Sequence, residues 1–371
     1  MNPLPRARAA LRAGAALALL AACAGCTAPV PRPAPVEIVI APPPSSATVE
    51  PTEVDVTITP GPAGSFGGAA GNAPHGLTGV WGAGNHVFAV GPGMILRSAD
   101  RGLHFQRSVG PGGAPSVWGA SADDVYVAGN RVVRSTDRGA TWSDVGPLPG
   151  VAKSIWGSGP EDVYVVGGED EHPFIARSID HGATWVDLES PFSGLIQGVT
   201  GSGPHELLVV GLGSLKGSPW DPSRSSSSVF LRSTDSGRQW TSLPSFPSGL
   251  SFAAVHRACF SAKGLFAATT YDLYFTPDLG RTWKLATPVG AEVLALACRG
   301  DEILVGGRNR KLFTSRDGGA TWGADPIGAL WTAPSLSSVQ AVFVSEGGEA
   351  FVGFEGLYDK EQRGSLFRRS P

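Results

Sequence analysis

From residue 77 onward, short apolar runs recur between turns rich in glycine and polar residues. Val80-Trp81-Gly82 leads into His86-Val87-Phe88-Ala89-Val90-Gly91. Val117-Trp118-Gly119 leads into Asp124-Val125-Tyr126-Val127-Ala128-Gly129, and Ile155-Trp156-Gly157 into Asp162-Val163-Tyr164-Val165-Val166-Gly167. Val199-Thr200-Gly201 leads into Glu206-Leu207-Leu208-Val209-Val210-Gly211. Each pair reads as an inner strand, a short turn, and a second strand rich in β-branched residues. A third strand, Leu96-Arg97-Ser98 in the first unit, follows and runs into a polar turn.

That turn is the most regular feature of the chain. Ser98 to Phe105 reads SADRGLHF, Ser135 to Trp142 STDRGATW, and Ser178 to Trp185 SIDHGATW. Ser233 to Trp240 reads STDSGRQW, Thr276 to Trp283 TPDLGRTW, and Ser315 to Trp322 SRDGGATW. The aspartates stand 37, 43, 55, 43 and 39 residues apart, the period of four-stranded propeller blades. A short carboxylate can accept the N–H groups that a tight turn points inward, and a Ser or Thr hydroxyl can join it. The glycine supplies a positive φ, and the closing aromatic packs between sheets. The motif resembles the Asp-box, or BNR, repeat of sialidases, sortilin-type receptors and photosystem II assembly-factor-type propellers. The resemblance implies an all-β, seven-bladed β-propeller of four-stranded blades. It also implies that Asp100, Asp137, Asp180, Asp235, Asp278 and Asp317 serve the fold and lie away from any ligand.

A seventh unit lacks the motif. Val339 to Val344 reads as an inner strand, Glu349 to Gly353 as a second and Ser365 to Arg369 as a third, and an outer strand is missing. Propellers commonly close by borrowing a strand from the other terminus, which removes an exposed edge. Glu53-Val54-Asp55-Val56-Thr57-Ile58 alternates polar and apolar, so residues 53–58 are the expected closing strand. The alternative is a three-stranded last blade.

Residues 1–22 read as an export signal. Arg6, Arg8 and Arg12 precede a short apolar segment, GAALALLAA, that is too short to span a bilayer as a helix. Leu20-Ala21-Ala22-Cys23 resembles the bacterial lipobox, which implies acylation at Cys23 and a lipid anchor in the cell envelope. Ala24, rather than aspartate, follows, which implies the outer membrane in a Gram-negative host. An ordinary cleaved signal is the alternative. Residues 23–76 read as a Pro- and Gly-rich linker: ten prolines fall within 27–62, favouring an extended chain. The propeller then occupies 77–371.

Composition narrows the chemistry. The chain holds 51 glycines and 31 prolines in 371 residues, which suits many turns rather than long helices. The net charge of −3 offers no general basic field for nucleic acid. No motif calls for a cofactor or a metal. Cys259 and Cys298 occupy similar places in neighbouring blades; they are either a disulfide or two buried thiols.

Catalysis has one serious form, a sialidase-like glycoside hydrolase. Such chemistry needs an arginine cluster, a Tyr/Glu pair and an acidic acid/base group. The Arg-Ile-Pro start usual in that family is absent, and Tyr126 and Tyr164 sit at repeated strand positions that read as core. Binding is the better reading, because a fold does not carry chemistry by itself. Loops joining strands two and three, and those joining one blade to the next, share one face of a propeller. The departures from the repeat fall there: Glu169, Asp170 and His172 in one acidic loop, Trp220 and Asp221 in the insertion 212–228, Trp331, and Tyr358 in the segment 356–364. The chain is expected to be a monomer that binds a protein or glycan there, in an assembly or scaffold role.

Overall fold

The computed structural model describes residues 52–57, 66–73, 76–113, 115–168, 172–216, 228–243, 255–287, 292–325, 338–355 and 364–371. They form seven antiparallel sheets, the blades of a β-propeller. In blade one the strands are Gly79–Ala83, His86–Gly91, Met94–Ser98 and His104–Val109, from the inside outward. The inner strands of blades two to seven are Ser116–Ser121, Ala152–Gly159, Phe192–Gly203, Val255–Ser261, Val293–Arg299 and Ser338–Val344. Each inner strand contacts the next, and the seventh contacts the first, so the ring is closed.

The strand that completes blade seven is Phe66–Ala73. It runs antiparallel to Gly364–Arg369, with Phe66 opposite Arg369 and Gly68 opposite Phe367. This corrects the placement of residues 53–58. The strand Thr52–Thr57 lies instead against His104–Val109, with Val56 opposite Phe105, and makes blade one five-stranded. Alternation marks a segment as a competent strand but does not choose its edge. The segment 66–73 (FGGAAGNA) has weak strand propensity, and position selects it. It precedes blade one by a few residues, beside blade seven. The link passes so close that a Cβ on Gly76 would come 2.8 Å from the Glu355 side chain.

There is no single core. The apolar side chains form seven clusters, each shared by two adjacent blades. The second strands feed clusters on both faces, which is why Val125–Ala128 and Val163–Gly167 are continuously buried. An aromatic at one inner-strand position packs over a glycine of the next blade. Cβ atoms on Gly119, Gly157 and Gly201 would lie 2.5, 2.5 and 2.3 Å from the rings of Trp81, Trp118 and Trp156. Strand register puts Cys259 opposite Phe266 as Trp81 is opposite Phe88, and Cys298 opposite Ile303 as Gly82 is opposite Val87. Between blades five and six, therefore, a disulfide takes the place of the ring-on-glycine contact. Cys259 and Cys298 are bonded, with Cα atoms 5.6 Å apart.

The six aspartate turns share one bonding scheme. In blade two, the Ser135 hydroxyl donates to Asp137 at 2.7 Å and accepts the Gly139 N–H at 2.7 Å. Asp137 also accepts the Thr141 N–H at 2.9 Å and the Thr141 hydroxyl at 2.6 Å. Gly139 has φ +78°, and a Cβ there would meet the Phe88 ring of blade one at 2.5 Å. Glycine is thus required twice, by conformation and by packing.

A second repeated pair joins strands two and three. Asp124 accepts from Arg134 at 2.7 Å, Asp162 from Arg177 at 2.9 Å and Glu206 from Arg232 at 2.8 Å. In blade six, Thr314 stands where the arginine falls in these blades, since it faces Leu304 as Arg134 faces Tyr126. The buried Arg369 of blade seven reaches across to Glu302 instead. A missing cation in one blade is supplied by its neighbour.

Candidate functional site

Seven inner strands converge on the axis, so what they carry there decides what the channel can accept. The cavity enclosed is about 390 Å³. Its lining comes from the starting halves of the inner strands, including Gly79, Ser116, Ser154, Gln197, Arg257 and Gln340. The channel therefore lies towards the face where inner strands begin and second strands end. The loops between strands two and three leave from that face. The aspartate turns are on the opposite face, bonded to the turns between strands one and two: the Arg101 N–H donates to the Asn85 carbonyl, and the Gly318 N–H to the Asp301 carbonyl.

One ring of positions sets the bore. Pairing with the second strands makes Gly79, Ser116, Ser154, Gly198, Arg257, Ala295 and Ala341 equivalent. Six of the seven are serine or smaller. Arg257 is the exception, half-buried on the channel wall. Its Nη1 donates to the carbonyls of His256 at 3.0 Å and Gln197 at 3.4 Å. No carboxylate pairs with it among the described residues, and none lines the cavity. Burial pushes the Arg257 guanidinium down from its ordinary value, yet an arginine so shifted remains a cation at neutral pH.

The neighbouring groups keep the channel positive. Lys153 adds an exposed ammonium to the lining. His256 is pushed down from its ordinary value, first by burial and then by Arg257, with Glu292 opposing, so it adds no charge at neutral pH. Glu292 is held by Arg308. Glu355, where blade seven's second strand ends, accepts the Gln340 amide at 2.7 Å. Such a lining can hold an anion by charge-assisted hydrogen bonds.

Of the residues singled out from sequence, His172 is exposed just before the strand Phe174–Ser178. Glu169, Asp170, Trp220, Asp221, Trp331, Tyr358 and Cys23 lie outside the described residues. Sequence reasoning passed over Arg257 and Lys153. For Arg257 the signal was there: once the repeats are set in register, it stands where other blades carry glycine, alanine or serine.

No protein-family model matches the chain, and a search of curated proteins returns no match. Solved structures do match. The chain is similar to a structure described as YCF48 bound to D1 peptide, at 18% identity and TM-score 0.63, covering 86% of this chain and 99% of that one. It is likewise similar to YCF48 from Cyanidioschyzon merolae, at 18% identity and TM-score 0.60, covering 82% and 98%. A GH74 xyloglucanase from Xanthomonas campestris matches at 16% identity and TM-score 0.53, covering 81% of this chain but 55% of the enzyme. The fold is a seven-bladed β-propeller. At these identities the likeness carries the fold and no chemistry.

Proposed function

We propose that this chain is a non-catalytic envelope lipoprotein, anchored through Cys23, that binds a protein partner across the loop face of its propeller and serves in assembly or as a scaffold. The observation that carries the reading is the axial channel. Among small and apolar residues its lining carries the cations Arg257 and Lys153 and the amides Gln197 and Gln340, with no carboxylate among the described residues, and it opens towards the ends of the inner strands from which the loops between strands two and three leave. A fold shared with YCF48, one structure of which holds a D1 peptide, supports a polypeptide as the partner class. The six aspartate turns are read as Asp-box repeats that hold blades together, on the face away from the partner.

The fold is shared with a xyloglucanase as well, which keeps glycoside hydrolysis as a second reading. Two experiments separate them. Affinity capture from envelope membranes is run with the full chain and with residues 217–227 deleted. The binding reading expects a protein recovered by the full chain and reduced or lost with the deletion; equal recovery removes that insertion from the site. A panel of fluorogenic sialosides and other glycosides is expected to show no turnover. Hydrolysis abolished by replacing one carboxylate would overturn the non-catalytic reading.

A further inference from the structure

We infer that the loop-face half of the axial channel is a carboxylate-binding subsite built around Arg257, shaped to take the end of a narrow chain such as a polypeptide C-terminus. The inference rests on the binding reading above and specifies the ligand chemistry at its centre.

Three observations lead to it. First, the equivalent ring positions are glycine, alanine or serine in six blades, so Arg257 is the one long side chain that this ring carries. Side chains there are small because seven strands crowd the axis; one arginine in that ring is a departure with a cost. Second, no carboxylate among the described residues balances its charge. Two backbone carbonyls accept from Nη1, and no hydrogen bond or ion pair engages Nε or Nη2 among the described residues. A guanidinium presents five donors, so donors remain for a ligand in the cavity that Arg257 lines. Keeping a cation half-buried without a counter-charge is unfavourable, and an incoming anion offsets that cost. Third, no carboxylate lines the cavity among the described residues: Glu292 is engaged by Arg308 and Glu355 accepts from Gln340, while Lys153 adds a second positive charge to the lining.

The lining also selects among anions. A planar monoanion matches the guanidinium fork. The carbonyls of Gln197 and His256, already close to Arg257, disfavour a compact dianion such as phosphate. The cavity, about 390 Å³, is at the small end of ligand pockets, which run from about 300 to 1,000 Å³. That volume suits a chain end rather than a folded surface. Entry is from the loop face, because the lining residues belong to the starts of the inner strands.

The test is calorimetric titration of the full chain at low salt with acetyl-trialanine, its C-terminal amide, succinate and inorganic phosphate. The free acid is expected to bind. Amidation, or the substitution Arg257→Gln, should each weaken binding by about tenfold or more, the usual effect of losing a charged hydrogen bond. Arg257→Lys, which keeps charge but loses the fork, should fall between. If Arg257→Gln does not fold, the acid-against-amide comparison on the unmodified chain still decides. Acetyl-trialanine tighter than succinate supports a chain terminus; succinate equal or tighter supports the carboxylate subsite with a free small acid as its source. Equal binding of acid and amide, phosphate binding tighter than every carboxylate, or no binding by any probe would overturn the subsite. Partner capture that persists while all probes fail would sink the subsite and leave the binding face standing.

Discussion

Each aspartate turn concentrates its hydrogen bonds on a single carboxylate. Asp180 accepts the Ser178 hydroxyl at 2.8 Å, the Thr184 N–H at 2.9 Å and the Thr184 hydroxyl at 2.6 Å. Replacing it leaves those donors without their acceptor, so Asp180→Ala should cost about 1–3 kcal/mol in chemical denaturation. Asp180→Asn, which keeps one acceptor oxygen, should cost less. The carboxyls report the same bonds. Burial pushes Asp100 up, but the N–H of His104, the His104 ring, the Ser98 hydroxyl and the Leu103 N–H outweigh it and hold Asp100 at about 2 against an ordinary 3.8. Asp137, Asp180 and Asp235 are lowered too, again with burial opposing and hydrogen bonds prevailing. A carboxyl lowered by folding contributes stability that is fully present above its unfolded value and is lost as pH falls through its folded value. The melting temperature should therefore hold steady above about pH 5 and fall between pH 5 and 2, and Asp100→Asn should make that fall shallower. A fall starting near pH 6 would point to other groups.

At the scale of elements, the two N-terminal strands make a contrast that can be measured. Phe66–Ala73 supplies the outer strand of blade seven, while Thr52–Thr57 adds a fifth strand to a blade already complete. A chain beginning at residue 60 should fold and melt within a few degrees of the parent. A chain beginning at residue 75 should melt much lower and aggregate, because Gly364–Arg369 becomes an open edge. Equal melting of the two would contradict the closure. The same strands show what the sequence made legible. The inner, second and third strands were readable because each carries its own apolar pattern, buried by its neighbours. The outer strands of blades two, four and six are very short, as at Ser143–Asp144, and the aspartate turn announces them. The closing strand was not readable, because FGGAAGNA is held by main-chain pairing with blade seven and bears no pattern of its own.

Over the whole molecule, a ring of seven inter-blade clusters places two different faces at the ends of one channel. The aspartate-turn face repeats itself and is bonded within the fold. The loop face is the end towards which the cationic half of the channel lies. The fold could be read from six motifs at blade intervals, their resemblance to Asp-box repeats, and three further strands that make a seventh unit. The site could not, since Arg257 and Lys153 are ordinary residues until seven strands bring their positions to one axis. The proposed partner engages the loop face over the channel. The direct measurement is site-specific photo-crosslinking in envelope membranes, with benzoylphenylalanine at the exposed Lys153 position or at Ile179, which is 62% exposed on the aspartate-turn face. A protein adduct from position 153 and none from 179 is predicted; adducts from 179 alone, or equally from both, would contradict it.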